Sequence, residues 1–260
     1  MSDQHVLGID IGGSGIKGAM VDLTTGEFAS DHLRIVTPQP STPANVALVV
    51  KEIVDAFADQ VGDSPIGVTI PAVVTHGVTR SAANIDKSWI DAPAEAIFGE
   101  ALGRDIFVMN DADAAGVAEV IFGAAKGHQG LVIVTTLGTG IGSAIINRNE
   151  LLPNTEIGHL EIDGKDAETF AAASVREREK LSFDEYVPRL QRYYETVEKL
   201  FWPDLFVVGG GVSKHHEKFL PKLKLRTPII PAELRNRAGI VGAAWLAVER
   251  QKHPDPLRTV

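Results

Sequence analysis

One arrangement of residues occurs twice in this chain: an apolar run, a glycine-rich turn and a second apolar run. The first copy spans residues 6–21 with its turn at residues 12–15, and the second spans residues 131–146 with its turn at residues 138–140. Short apolar runs joined by a few glycines are typical of β-hairpins. The repetition predicts that each half of the chain is built around a similar hairpin.

The remaining segments predict further strands and helices. Residues 42–58 and 112–125 place apolar side chains at helical spacing, and Pro43 suits the first turn of the earlier helix. Buried strands are predicted at residues 66–70, 106–109 and 205–208, and further helices at residues 183–201 and 238–250. This pattern indicates a mixed α/β protein. We expect an N-terminal lobe of residues 1–109 and a C-terminal lobe of residues 110–260 around a ligand-binding cleft, and the last helix could pack on the first lobe.

Charge and composition exclude several classes of protein. The net charge of −9 argues against a nucleic-acid partner, because such binding depends on clustered lysine and arginine. The absence of cysteine excludes disulfides and thiolate metal sites and suits a reducing compartment. The first ten residues do not resemble a secretory signal, and the longest uncharged stretch, residues 129–147, contains glycines that suit a hairpin better than a membrane helix. We expect a cytoplasmic protein without a membrane partner.

The first turn has the composition of a phosphate-binding loop. Because glycine lacks a side chain, backbone N–H groups in such a turn can approach phosphate oxygens closely. Ser14 and Lys17 could add hydrogen bonds and positive charge, and Asp10 could hold a magnesium ion through water. An ordinary hairpin turn is the alternative for one such turn alone. The candidate donor-binding residues here are Asp10, Gly12, Gly13, Ser14, Gly15 and Lys17.

Two more glycine clusters support a donor site. The spacing G-x-x-x-x-G-K-[ST] of a P-loop is absent, and the first glycines lead into a strand instead of the helix that a dinucleotide fingerprint requires. A phosphate donor held by hairpin turns fits the pattern better than either of these motifs. The additional candidates are Gly138, Thr139, Gly140, Gly209, Gly210 and Gly211.

Five segments, in their order along the chain, resemble the motifs of the ROK group of sugar kinases. They are LGIDIGGSGIK at residues 7–17, NDADA at 110–114, LGTGIG at 137–142, EIGH at 156–159 and GGGV at 209–212. The resemblance implies the actin-like (ribonuclease H-like) ATPase fold with two lobes around a cleft, phosphoryl transfer to a sugar with Mg²⁺, and a homodimer. Residues 156–168 and the short length are most similar to bacterial polyphosphate glucokinases.

Asp111 is the candidate catalytic base. Phosphorylation of an alcohol requires its hydroxyl to lose a proton as the bond to phosphorus forms, and a carboxylate usually accepts that proton. Asn110 offers a donor and an acceptor to a sugar hydroxyl, and the N-terminus of the following helix favours an ionised carboxylate. The alternative is that Asp111 only caps the helix. Asp113 is the more natural cap or first-turn acid.

The resemblance also implies the other sugar-binding residues. Glu156, His159 and Glu168 would surround the remaining hydroxyls, and Asn84 would contribute from the other lobe. A lone histidine is more often structural, but His159 follows Glu156 by three residues in a glycine-containing turn. Many ROK kinases carry a cysteine-rich zinc motif just after this histidine. Here residues 163–168 take its place, so we expect no structural zinc.

Residues 213–226 reverse the acidic character of the chain, with five lysine or arginine residues and one glutamate. We hypothesise that this basic stretch, with Lys214 as its candidate donor contact, follows the tail of a polyphosphate chain. The alternative is the solvated face of an amphipathic helix.

The sequence predicts a kinase that phosphorylates the 6-hydroxyl of glucose, with mannose as a further acceptor, from polyphosphate and also from ATP. One alternative is a strictly ATP-dependent kinase for another hexose. The other is a sugar-responsive transcription regulator, which is disfavoured because the first glycine strand begins at Val6 and leaves no room for a DNA-binding module.

Overall fold

The computed structural model describes residues 5–257, which form two compact units. The first unit contains the chain up to Ala118 and again from Arg237 onwards, and the second contains Glu119–Asn236. The division therefore falls within a helix, nine residues after the predicted boundary at 109/110. The last helix belongs to the first unit.

The elements are numbered in chain order. The strands are β1 His5–Gly12, β2 Gly15–Asp22, β3 Glu27–Phe28, β4 Leu33–Ile35, β5 Ile66–Ile70, β6 Val74–Thr75, β7 Val78–Thr79, β8 Ile106–Asn110, β9 Leu131–Leu137, β10 Ile141–Asn147, β11 Glu150–Leu152, β12 Glu161–Ile162, β13 Lys165–Asp166, β14 Leu205–Gly209 and β15 Ile229–Pro231. The helices are α1 Pro43–Ala56, α2 Ala58–Val61, α3 Ala94–Leu102, α4 Asp111–Ile121, α5 Glu168–Ala171, α6 Ala173–Arg178, α7 Phe183–Phe201 and α8 Ala238–Lys252.

The main sheets of the two units share one strand order. It is β3-β2-β1-β5-β8 in the first unit, where β4 also pairs with β2, and β11-β10-β9-β14-β15 in the second. In each sheet a hairpin, β1–β2 or β9–β10, is antiparallel, and the next two strands run parallel to its first strand. The predicted repetition of the hairpin is confirmed and extends to five strands.

Apolar packing holds each unit together. In the second unit α7 starts with a capping box between Ser182 and Glu185, and it buries Tyr186 and Tyr194. The hydroxyl groups of these tyrosines are satisfied by the Ala171 carbonyl oxygen at 2.6 Å and by Thr135 at 2.7 Å. Buried polar groups that find such partners avoid a desolvation cost. None of the helices within residues 5–257 combines the length and apolar character needed to cross a membrane.

Three glycines let α8 pack directly against the backbone of its neighbours. Gly8 of β1 faces Ile240, and Gly67 of β5 faces the carbonyl group of Ala243, whose Cα would lie 3.1 Å from a Cβ at position 67. Gly242 of α8 similarly faces Ala114 in α4, where a Cβ would lie 2.8 Å from the Cα. The contact between Gly242 and Ala114 packs the first two turns of α4 against α8. This is consistent with the division between the two units after Ala118.

Helix α4 ends at Ile121, so the prediction of a helix to residue 125 was wrong at this end. The buried carboxylate of Glu119 accepts the N–H of Ala124 at 2.9 Å, and also those of Glu233 at 3.0 Å and Leu234 at 2.7 Å. A continuing helix would direct the Ala124 N–H to the carbonyl group four residues earlier. The side chain of Glu119 therefore ends the helix and ties it to the segment before α8.

Candidate active site

The first glycine turn contacts Asn84 and Arg34. The turn consists of Gly13 and Ser14, between β1 and β2. A Cβ at Gly13 would lie 3.1 Å from the carbonyl oxygen of Asn84, and a Cβ at Gly15 would lie 2.7 Å from the Arg34 guanidinium. Arg34 also donates to the Ser14 carbonyl oxygen at 3.0 Å. The structure thus brings a predicted sugar-binding residue next to the predicted donor turn, and it adds a cation that the sequence analysis missed.

Asp10 lies at the same end of β1. Its Oδ1 accepts a hydrogen bond from the Thr69 hydroxyl at 2.8 Å, and its Oδ2 lies 3.8 Å from Nζ of Lys17. Gly239, in the first turn of α8, leaves room for this carboxylate, because a Cβ there would lie 3.0 Å from Oδ1. Oδ2 can still accept a hydrogen bond from a metal-bound water, since the ion pair is longer than a hydrogen bond. These residues fit a hydrated magnesium ion.

Asn110 caps α4, and Asp113 lies in the first turn of this helix, as predicted for a first-turn acid. Its Oδ1 accepts the N–H groups of Ala112 at 2.8 Å and Asp113 at 3.0 Å, while its Nδ2 donates to the Ala72 carbonyl oxygen at 3.1 Å. Two bonds saturate the amide oxygen. Asn110 is also buried, so its contact with a sugar is limited to donation by one remaining Nδ2 hydrogen.

Asp111 is the first residue of α4 and is partly buried. Its Oδ1 accepts the N–H of Ala112 at 2.9 Å. The unpaired N–H groups at a helix N-terminus stabilise a negative charge placed there. A partly exposed carboxylate in this position can accept a proton from a bound alcohol.

The second glycine turn is held by α6 and by Glu168. Ser174 of α6 donates its N–H to the Gly138 carbonyl oxygen at 3.0 Å and its hydroxyl to the Thr139 carbonyl oxygen at 2.6 Å. The carboxylate of Glu168 accepts the N–H of Ile141 at 3.2 Å, next to Gly140, where a side chain would collide with it. Another predicted sugar-binding residue therefore lies against a predicted donor turn.

The third glycine cluster also lies next to this turn. Gly209 ends β14 and Gly211 begins a 3-10 helix, Gly211–Lys218. Gly210 between them has a φ of 80° and lies against Leu137, where a Cβ would be 2.6 Å from the backbone nitrogen. Only glycine meets both conditions. The predicted donor residues of the second unit thus form one continuous region.

His159 and Asp166 form an ion pair beside Glu168. Nδ1 of His159 lies 2.8 Å from Oδ2 of Asp166, whose Oδ1 accepts the N–H of Glu168 at 3.1 Å. The hydrogen bond to Asp166 is the main reason that the pKa of His159 is raised, and the charges of Glu168 and Glu156 act in the same direction. The sequence analysis gave Asp166 no role, although it lies in the segment that replaces the zinc motif.

The pKa of Glu156 is raised as well. The main cause is that surrounding protein atoms exclude water from its carboxyl group; the positive charge of His159 opposes the shift, and Glu168 adds to it. Glu156, His159 and Glu168 are therefore electrostatically coupled. This arrangement offers hydrogen-bond acceptors together with one cationic donor, the groups needed to bind several hydroxyls.

We expect that Asp166→Asn lowers the pKa of His159 towards its ordinary value of 6.5. The imidazolium loses its carboxylate partner, so it deprotonates at lower pH than in the wild type. An NMR titration of the imidazole carbons measures this shift. Asp163→Asn is the matched control, because Asp163 belongs to the same segment but pairs with Arg192 at 2.6 Å. An unchanged His159 midpoint in Asp166→Asn would contradict the assignment.

His159, Asp166 and Glu168 also bear on metal binding. One potential ligand atom from each lies within 4.8 Å of the others. Structural zinc sites are usually completed by four cysteine or histidine ligands, whereas this group has one imidazole and two carboxylates already hydrogen-bonded to each other or to the backbone. The absence of a structural zinc stays a prediction.

The basic stretch is not one amphipathic helix. It contains the 3-10 helices Gly211–Lys218 and Leu220–Lys222. Lys222 forms an ion pair with Asp184, and Arg226 lies over the ring of Trp202 at 4.4 Å. Part of the stretch is thus engaged within the protein.

Several known proteins are similar to this chain in sequence and in fold. A polyphosphate glucokinase of Mycobacterium tuberculosis is 49% identical over 253 residues, which cover 97% of this chain and 94% of that protein. The crystal structure of an inorganic polyphosphate/ATP-glucomannokinase from Arthrobacter sp. strain KM is 53% identical with a TM-score of 0.90, covering 95% of this chain and 100% of that one. A ROK family glucokinase from Streptomyces griseus, solved with glucose and AMPPNP, is 25% identical with a TM-score of 0.81, covering 94% and 99%.

These likenesses confirm the predicted fold, which is the actin-like ATPase fold of the ROK kinases. The family model described as "ROK family" matches residues 6–173. The chain therefore belongs to the ROK family.

Proposed function

We propose that this protein is a sugar kinase that transfers a phosphoryl group from inorganic polyphosphate, and also from ATP, to the 6-hydroxyl of glucose. The observation that carries the proposal is 49% identity, over 97% of this chain, to a protein named polyphosphate glucokinase. Mannose is a second acceptor in the proposal, because the relative from Arthrobacter is named a glucomannokinase. The arrangement of carboxylates and glycine turns supports this chemistry.

In the first unit Asp111 acts as the base. It takes the proton of the sugar hydroxyl as the hydroxyl oxygen bonds to phosphorus and the bond from phosphorus to the rest of the donor breaks. The turn from Gly12 to Lys17 binds donor phosphates with its N–H groups, and Asn84 beside it binds the sugar. A magnesium ion bound through water at Asp10 would offset the negative charge of the donor.

In the second unit the turn at Gly138, Thr139 and Gly140 binds donor phosphates, supported by the glycines at 209–211. Glu156, His159 and Glu168 bind the remaining hydroxyls of the sugar. Because its pKa is raised, the His159 imidazolium persists to higher pH and can donate to a hydroxyl oxygen. Its partner Asp166 fixes the orientation of the ring.

The proposal includes a cytoplasmic homodimer without a nucleic-acid partner. The lack of cysteine supports a cytoplasmic location. The acidic net charge supports the absence of a nucleic-acid partner. Sedimentation analysis of the purified protein measures its oligomeric state.

Glucose phosphorylation with nucleotide-free polyphosphate as the only donor tests the function. We expect turnover with polyphosphate and with ATP, and loss of both when Mg²⁺ is chelated, because the phosphate charges are then not neutralised. The assay follows glucose 6-phosphate. Activity with ATP alone would contradict the polyphosphate donor. Activity with another hexose but not with glucose or mannose would contradict the acceptor.

A further inference from the structure

Positively charged side chains gather around Phe183 in the second unit. The Cζ atom of Arg176 lies 3.9 Å from the centre of the ring, Nζ of Lys218 lies 5.5 Å from it, and the ring of His215 makes an edge contact at 5.8 Å. Lys214 lies in the same 3-10 helix as His215 and Lys218. The aromatic face attracts these cations. We call Arg176, Lys214, His215 and Lys218 the Phe183 cluster.

Among residues 5–257, the three cations of this cluster have no ion-pair partner. In the described range, 5–257, no carboxylate lies within 4 Å of the charged nitrogens of Arg176, Lys214 or Lys218, in contrast to Lys222 with its partner Asp184. Nε of Arg176 is buried and has no hydrogen-bond partner among these residues. Buried guanidinium N–H groups are normally paired. The arrangement leaves three positive charges for an anion from outside.

The three cations of the cluster also affect the pKa of His215. Its pKa is lowered, first by burial and then by the positive charges of Lys218, Lys214 and Arg176. The three cations therefore act on one place in the molecule, although Arg176 comes from a different segment. Like charges held together repel each other, and a bound polyanion removes that cost.

Both segments that carry the cluster begin at the second glycine turn. Helix α6 carries Arg176 and is anchored by Ser174 to the carbonyl groups of Gly138 and Thr139. The 3-10 helix with Lys214 and Lys218 follows Gly210, which packs on the backbone of Leu137. The segments that carry the cations are thus anchored beside the turn that would bind a donor phosphate.

We propose that Arg176, Lys214 and Lys218 bind phosphate groups of a polyphosphate chain that lie further from the transferred group than the three phosphates of ATP or tripolyphosphate. This inference rests on the proposed function. A nucleotide has a ribose and a base beyond its phosphates, so additional cations beyond the donor turn stabilise a bound nucleotide less than a longer chain of phosphates. The site includes Arg176, outside the basic stretch, and excludes Lys222 and Arg226, which are engaged elsewhere.

The decisive variants are Arg176→Met and the double substitution Lys214→Gln, Lys218→Gln. Methionine keeps the apolar contact with Phe183 and removes the charge and its donors. Arg226→Met is the matched control, because it also removes an arginine that covers an aromatic ring. We expect the Kd for long-chain polyphosphate to rise about tenfold or more in the decisive variants, since each loses charge-assisted hydrogen bonds.

Titration with long-chain polyphosphate alone, without sugar, measures this Kd, and thermal melting shows that each variant is folded. The KM for ATP and for tripolyphosphate should stay near that of the wild type, because these donors do not reach the cluster. The proposal would be overturned if both decisive variants bound long-chain polyphosphate with the wild-type Kd. It would also be overturned if Arg226→Met raised this Kd as much as the decisive variants do, or if those variants raised the KM for ATP by the same factor.

The same measurements separate this inference from the proposed function. A wild type that binds long chains through the cluster but phosphorylates glucose only from ATP would contradict the proposed donor and support the site. A wild type that uses polyphosphate, with variants that bind and use it equally well, would contradict the site alone. A wild type that does not bind polyphosphate would overturn both.

Discussion

Asp111→Asn is expected to lower turnover by about 10²- to 10⁴-fold, the range that general base catalysis contributes. The amide has nearly the shape of the carboxylate but cannot accept a proton from the sugar hydroxyl. Asn110 supplies the cap of α4 through its own Oδ1, so the helix should form in the variant. The KM for glucose should change little, because the loss concerns the transition state.

Steady-state assays with polyphosphate and with ATP measure this effect, and both donors should be affected equally because the base acts on the acceptor. Calorimetry with glucose checks sugar binding. Asp113→Asn is the matched control: it removes a negative charge from the same first turn, and it should keep most of the turnover. Near-normal turnover in Asp111→Asn would exclude Asp111 as the base.

Gly67→Ala is expected to lower the free energy of unfolding of the first unit by about 3 kcal/mol. The added methyl group would overlap the backbone carbonyl of Ala243, and neither β5 nor α8 can yield without disturbing its other contacts. Backbone atoms relax less readily than the end of a side chain. The loss of unfolding free energy should therefore be near the upper limit usually found when a methyl group is added to a packed core.

Denaturant titration followed by tryptophan fluorescence measures this loss, because Trp89 and Trp245 lie in the first unit. Gly99→Ala is the control: it lies in α3, and the nearest atom to its added Cβ is the Arg104 carbonyl oxygen at 3.6 Å. Alanine there should be neutral or stabilise the protein by up to about 1 kcal/mol. A Gly67→Ala protein as stable as the wild type would show that α8 packs differently.

Local patterns in the sequence predicted most of the fold. The helix at Phe183–Phe201 was predicted with its observed bounds, and the structure shows that a capping box begins it. Both glycine hairpins were predicted because a strand, a turn and a strand are neighbours along the chain. The same reasoning placed Asp111 at the start of a helix.

Features that depend on distant contacts could not be predicted. Helix α4 ends early because Glu119 bonds to residues 233 and 234, more than a hundred positions away. Arg34 reaches the first turn only because β4 pairs with β2. Helix α6, which carries Arg176, is anchored to the second turn by Ser174, and Ser174 has no local signal of that role. The amide of Asn110 caps α4 and also bonds to Ala72, thirty-eight positions away, a contact without a local signal.

The return of α8 to the first unit affects how the protein emerges from the ribosome. Residues 119–236 are continuous, so all of the second unit is synthesised before α8 appears. The sheet of the first unit, by contrast, is made early and lacks the helix that covers Gly8 and Gly67 until residues 238–252 have been translated. Domains usually fold as units during synthesis. The half of the protein that is made first is therefore completed last, and until then its exposed strands are an available surface for chaperones.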